Sequence, residues 1–108
     1  MSLFTIKQGD RLPALTAVLR DTEGPVDLSA ATAVALLMRL TGSTTPLTLT
    51  GTTSIVDAAA GEVRHAWGAG DTTAPGVYEA EWEVTFPGGT MTFPSSGWDT
   101  IHIYDDIA

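Results

Sequence analysis

Two histidines, a stripe of three glutamates and a short acidic tail are the side chains of this 108-residue sequence that could do chemistry. His65 and His102 stand far apart with neither HxxxH nor HxH spacing, so a histidine-ligated metal is unsupported. His65 shares the apolar parity of Val63 and Trp67, which predicts a packed, hydrogen-bonded imidazole rather than a ligand. His102 has the opposite parity to Ile101 and Ile103 and is expected to face solvent or a partner. Glu79, Glu81 and Glu83 alternate along one segment. Carboxylates two residues apart on a strand sit roughly 6–7 Å apart, a separation that inverting glycosidases use. An acid/base pair also needs one carboxyl held protonated, and nothing near these three in sequence would do that. A solvated outer face is the expectation, with a second role in shielding a sheet or meeting basic groups of a neighbour. Asp99, Asp105 and Asp106 lack the dense D-x-D-x-D-G spacing of a calcium loop. Gly68–Asp71 has neither the GK[ST] ending nor the following helix of a phosphate loop.

Composition narrows the classes further. The sequence contains no cysteine, which removes disulfides, thiolate metal sites and cysteine nucleophiles. Thirteen acids against five bases leave a net charge of −8, a field that repels phosphate backbones and anionic lipid. Neither nucleic acid nor membrane is therefore an expected partner. No apolar run has the length of a membrane span, and MSLFTIKQGDR does not read as a signal peptide. The sequence also lacks asparagine, hence any N-glycosylation acceptor. No enzyme and no cofactor is expected.

These side chains would be positioned by short strands. Threonine makes up roughly one residue in six, and glycine and proline punctuate the chain. VYEAEWEVTF at Val77–Phe86 alternates strictly, with Tyr78, Ala80, Trp82, Val84 and Phe86 on one face and the glutamates on the other. Further strands are predicted around Phe4 and Ile6, through Leu15, Ala17 and Leu19, at Thr32–Thr41, Pro46–Thr50, Ser54–Val56 and Glu62–Trp67, through Met91 and Phe93, and at Thr100–Tyr104. Asp21–Pro25, Asp57–Gly61 and Pro87-Gly88-Gly89 are turn signals, and Gly68–Gly76 is a loop. The alternation over Val34–Leu40 favours a strand over a helix for the Ala-rich segment, after one turn of 3₁₀ helix. The expected fold is all-β, one domain over 1–108, an immunoglobulin-like β-sandwich of about seven to nine short antiparallel strands. A small closed barrel is the other architecture open to such a pattern.

FTIKQGDRLPALTAVLRD at Phe4–Asp21, PVDLSAATAVALLMR at Pro25–Arg39 and GDTTAPGVYEAEWEVTFPGGTMTFPSSGW at Gly70–Trp98 occur in this order. Together they resemble the N-terminal domain of the baseplate upper protein family of tailed phages, especially from phages of GC-rich actinobacteria. The resemblance covers nearly the whole chain, Gly42–Asp57 least. It implies an immunoglobulin-like structural protein of the virion, assembled in the host cytoplasm, that associates with itself and docks on other phage structural proteins. It carries over no catalytic residue. Family members usually continue into helical linkers, whereas this sequence ends at Ala108. The expectation is therefore a small adaptor or minor tail or baseplate subunit, with capsid decoration or a place near the head–tail connector as the alternative.

Partner contacts are expected at apolar groups outside the core alternation: Leu3, Leu37, Trp98, Tyr104 and Ile107. The termini Met1–Leu3 and Tyr104–Ala108 and the loops Thr41–Pro46 and Gly68–Gly76 would carry them, while the glutamate face stays wet or meets basic residues. Trp82 has core parity, which leaves Trp67 and Trp98 as the candidates for an exposed sugar-stacking aromatic, and Trp98 with Tyr104 is the pair a carbohydrate-binding module would use.

Overall fold

A computed structural model describes residues 3–95 and 97–107. These residues form strands β1 (Leu3–Lys7), β2 (Leu15–Val18), β3 (Arg20–Asp21), β4 (Gly24–Pro25), β5 (Ala33–Leu40), β6 (Thr52–Asp57), β7 (Glu62–Ala66), β8 (Gly76–Phe86), β9 (Gly89–Phe93) and β10 (Asp99–Tyr104). No helix occurs among them. The larger sheet runs β1-β10-β8-β5, and β9 and β10 follow one another along the same edge of β8. The smaller sheet runs β2-β7-β6, while β3 and β4 make a two-residue ribbon.

Strand alternation decides what lies between the sheets. On β8, Tyr78, Ala80, Trp82 and Val84 are buried. They meet Leu36 and Met38 of β5, Ile101 and Ile103 of β10, and Ile6 of β1. Leu15, Leu19, Leu28, Val63 and Trp67 close the cluster from the β2-β7 side. Two main sheets thus share one core, the arrangement of a β-sandwich. The Pro87-Gly88 dipeptide turns β8 into β9 with Phe86 opposite Gly89, and the Asp27–Ala31 segment is one turn closed by Ala31 N–H donating to the Leu28 carbonyl.

Four expectations need correction. The pairing is not antiparallel throughout, because β1 runs parallel to β10, with Phe4 opposite Ile101 and Ile6 opposite Ile103. Alternation tells which face a residue takes but not the direction of its partner strand, so this pairing was not readable. The strands among the described residues number ten, because the Arg20–Pro25 turn closes with its own two-residue ladder. Pro46–Thr50 is no strand and makes a single bridge, Pro46 to Arg39. Pro46 has no N–H to give a ladder, and Thr50 N–H donates to Asp71 instead. Trp67 is only 3% exposed, since the inward parity of Val63 and His65 continues past the end of β7. Its indole N–H donates to the Pro13 carbonyl, and its ring lies 5.9 Å from that of Phe4.

Candidate functional site

The outward residues of the larger sheet form one surface. Register sets Leu3 beside Thr100, Thr100 beside Glu79 and Glu79 beside Arg39. One step along the strands, Thr5, His102 and Val77 make the next row, and Lys7 and Tyr104 the one beyond. At the other end Trp98, Glu81 and Leu37 stand together around a hollow of about 300 Å³ that Met38, Arg39, Pro46, Glu79 and Gly97 complete. Four of the five expected contact residues, Leu3, Leu37, Trp98 and Tyr104, therefore lie on this face. Ile107 lies in the tail beyond β10 and is fully exposed. Met1, Ser2 and Ala108 of the expected contact termini lie outside the described residues.

Hydrogen bonds and ring contacts order the face. Arg39 Nε donates to Glu79 Oε1 at 2.7 Å, and the same guanidinium lies 5.8 Å from the Trp98 ring centroid. A half-exposed pair of this kind adds little stability but holds both groups in place. Glu79 is thus not a free acid or base. Stacking with ring centroids 3.7 Å apart joins His102 to Tyr104 at the opposite end. Trp98 and Tyr104 are six residues apart along one strand line, about 20 Å. They share a face without forming one sugar-stacking platform.

The loop Gly68–Gly76 turns Asp71 and Thr72 inward and leaves Ala69, Gly70, Thr73, Ala74 and Pro75 exposed. Its Asp71 is 5% exposed and Thr72 is 2% exposed. Asp71 Oδ1 accepts from Thr50 N–H at 2.7 Å, and Oδ2 accepts from Gly68 N–H at 2.8 Å and Gly51 N–H at 3.0 Å. His65 Nε2 lies 3.2 Å from the same Oδ2, and His65 Nδ1 lies 2.8 Å from Thr53 Oγ1. A neutral imidazole satisfies both contacts if Nε2–H donates to Asp71 and Nδ1 accepts from Thr53. The Trp67 ring meets His65 edge-on at 5.0 Å.

A Thr–His–Asp chain can activate a hydroxyl. Here the histidine and aspartate side chains are 1% and 0% exposed, which leaves no space for a substrate at the imidazole. Asp71 spends its lone pairs tying the Thr50-Gly51 corner to the Gly68 turn. A Cβ on Gly51 would strike the Ala66 carbonyl oxygen and Gly68 N, and one on Gly68 would strike Gly51 N and Thr50. Both positions need glycine for this close backbone approach. Among the described residues no three His, Cys, Asp or Glu side chains are grouped to hold a metal.

Burial pushes the Asp71 carboxyl upward, but the N–H groups of Thr50, Gly68 and Gly51 together with His65 outweigh it and hold the pKa below the ordinary 3.8. The folded protein therefore favours the carboxylate. The resulting stabilisation is present above the unfolded value and is lost as pH falls through the folded one. Urea midpoints are expected to stay level from pH 7 to 5 as far as this group decides, then to fall below pH 4. Asp71→Asn should flatten that acid limb; an equally steep limb in the variant would assign it to other carboxyls.

Sequence alone marked His65 as an inward histidine and Leu37, Trp98 and Tyr104 as apolar outliers, but not Asp71. No family model matches the chain, and no curated protein matches it in sequence.

Proposed function

We propose that this chain is a non-enzymatic structural protein of a tailed-phage virion, an immunoglobulin-like β-sandwich that serves as a small adaptor or minor tail or baseplate subunit. Copies associate with one another and dock on other virion proteins. The immunoglobulin-like reading is supported by strand order. β5-β8-β10 corresponds to the C-F-G sheet and β2-β7-β6 to B-E-D, with β1 laid parallel against β10 at the edge of the first. The functional reading rests on one observation beside the resemblance in sequence. A single sheet face carries Leu3, Leu37, Val77, Trp98 and Tyr104 as partly exposed large apolar groups, a pattern that suits a protein contact.

The test is composition of the particle. Mass spectrometry of virions purified through two density gradients should return peptides of this chain in constant ratio to the major tail protein, and gold-labelled antibody should mark the tail or its tip. A chain that stays in the lysate and is absent from purified particles overturns the proposal.

A further inference from the structure

We propose that the hollow at the Trp98 end of the larger sheet is a seat for one neutral pyranose ring, either a free sugar or the end unit of a glycan. Its floor is two register rows, Leu37 beside Glu81 and Arg39 beside Glu79. Two walls stand on that floor. Pro46 forms the first, held by its bridge to Arg39 and by Leu47 N–H donating to the Met38 carbonyl at 2.8 Å. Trp98 forms the second, and from the next residue β10 pairs with β8, with Asp99 opposite Ala80. Both walls are anchored in the sheet, so the hollow stands ready before a ligand arrives.

The polar groups left over decide the ligand. Arg39 gives its Nε–H to Glu79 Oε1, and neither of its NH₂ groups has an acceptor among the described residues. Glu79 Oε2 and both carboxylate oxygens of Glu81 likewise have no partner among them. Free donors and free acceptors thus stand side by side. An anion would meet the carboxylates, a cation would meet the guanidinium, and an apolar group would cover both sets unpaired. A hydroxyl donates and accepts at once, so neighbouring hydroxyls suit Arg39 and the two glutamates together.

The apolar side of such a ligand also has its place. One face of a pyranose is lined by C–H groups, which pack against an aromatic ring, and Trp98 is 38% exposed. Leu37 and Pro46 extend that apolar lining. Two register rows span about 7 Å along the strands, the length of one ring rather than of a peptide segment. The volume of about 300 Å³ lies at the small end of ligand sites. A net charge of −8 on the chain turns acidic sugars away. Leu3, Val77 and Tyr104, outside the hollow, remain for protein contact, so sugar binding and the virion role stand or fall separately.

At ordinary ligand efficiency a ring of about twelve heavy atoms binds with a Kd on the order of 1 mM. Titration of the ¹⁵N-labelled full chain to 50 mM with methyl β-glucoside, methyl β-galactoside, methyl α-mannoside and N-acetylglucosamine tests the site. At least one should shift the Trp98 indole N–H saturably and leave those of Trp67 and Trp82, 3% and 1% exposed, in place. Trp98→Ala identifies that signal by its loss, and should weaken binding at least tenfold as followed at the Leu37 and Gly97 amides. Glu81→Ala should weaken it at least threefold, with circular dichroism melts of both variants near the parent's. Glucuronate and glycerol should leave the spectrum unchanged. A trisaccharide ending in the preferred unit should bind within twofold of the single sugar if chain ends are the ligand, and not at all if only the free sugar fits. No saturable shift with any of the four sugars overturns the proposal. So does binding indifferent to Trp98→Ala and Glu81→Ala, and so does a response to glycerol equal to that of the sugars.

Discussion

Asp71→Ala should lower the unfolding free energy by about 3–5 kcal/mol, the cost range for deleting one member of a buried, hydrogen-bonded charged cluster. The substitution leaves the N–H groups of Thr50, Gly51 and Gly68 without their acceptor, together with the Nε2 of His65. Each buried donor left unpaired costs about 1–3 kcal/mol, and water entering the vacated space recovers part of the sum. Asp71→Asn recovers little, because its NH₂ turns a donor toward donors. A small single domain holds roughly 5–15 kcal/mol in total, so either variant should lose a large share of its stability. Urea titration read by tryptophan fluorescence gives the number. A midpoint shift worth less than 1 kcal/mol would mean that the two loops hold together without the carboxylate.

That carboxylate was the least legible feature of the chain. In the sequence it stands in a Gly-Ala-Gly-Asp-Thr-Thr stretch with the composition of an exposed loop. Its partners Thr50 and Gly51 lie about twenty residues upstream, in a segment whose threonines imitate a strand. Only closure of the β6-β7 hairpin brings the two together, and no local pattern encodes that event. Trp67 is a different case. Val63, His65 and Trp67 alternate, and carrying the parity two residues past His65 would have placed the indole inside.

The outer face was half legible. Parity alone set Leu37 apart from Leu36 and Met38, and it set the glutamates of β8 opposite Tyr78, Ala80 and Trp82. That Leu3 and Tyr104 join Leu37 and Trp98 on the glutamate face follows only from the parallel β1–β10 register. The expectation had separated apolar termini from a wet acidic face, whereas the fold merges them. The merger alters the chemistry available. Glutamates there stand among Leu3, Leu37, Trp98, Tyr104 and the base Arg39, where an isolated stripe would be purely acidic.

Trp82→Ala and Trp98→Ala should give opposite results, because Trp82 of β8 and Trp98, just before β10, lie on opposite faces of the same sheet. Trp82 is 1% exposed in the middle of the core, opposite Leu36 of β5 and Phe93 of β9. Truncating a buried tryptophan removes its transfer free energy and leaves a cavity that the neighbours only partly fill, about 3–5 kcal/mol in all. Trp82 also lines a second hollow, between β2 and the end of β9, so the vacated volume would open toward solvent there and admit water. Water would spare the protein little, since the surrounding Leu36, Val84 and Phe93 offer it no hydrogen bonds. Trp98, 38% exposed and covered on one side by Arg39, has much less to lose. Its removal should cost less than about 1 kcal/mol of stability. Thermal melts on the same two samples separate the effects: Trp82→Ala should melt far below the parent chain, whereas Trp98→Ala should melt near it. A Trp98→Ala protein that loses as much stability as Trp82→Ala would make the outer ring part of the fold's support, and the face would then lose its strongest mark of a contact surface.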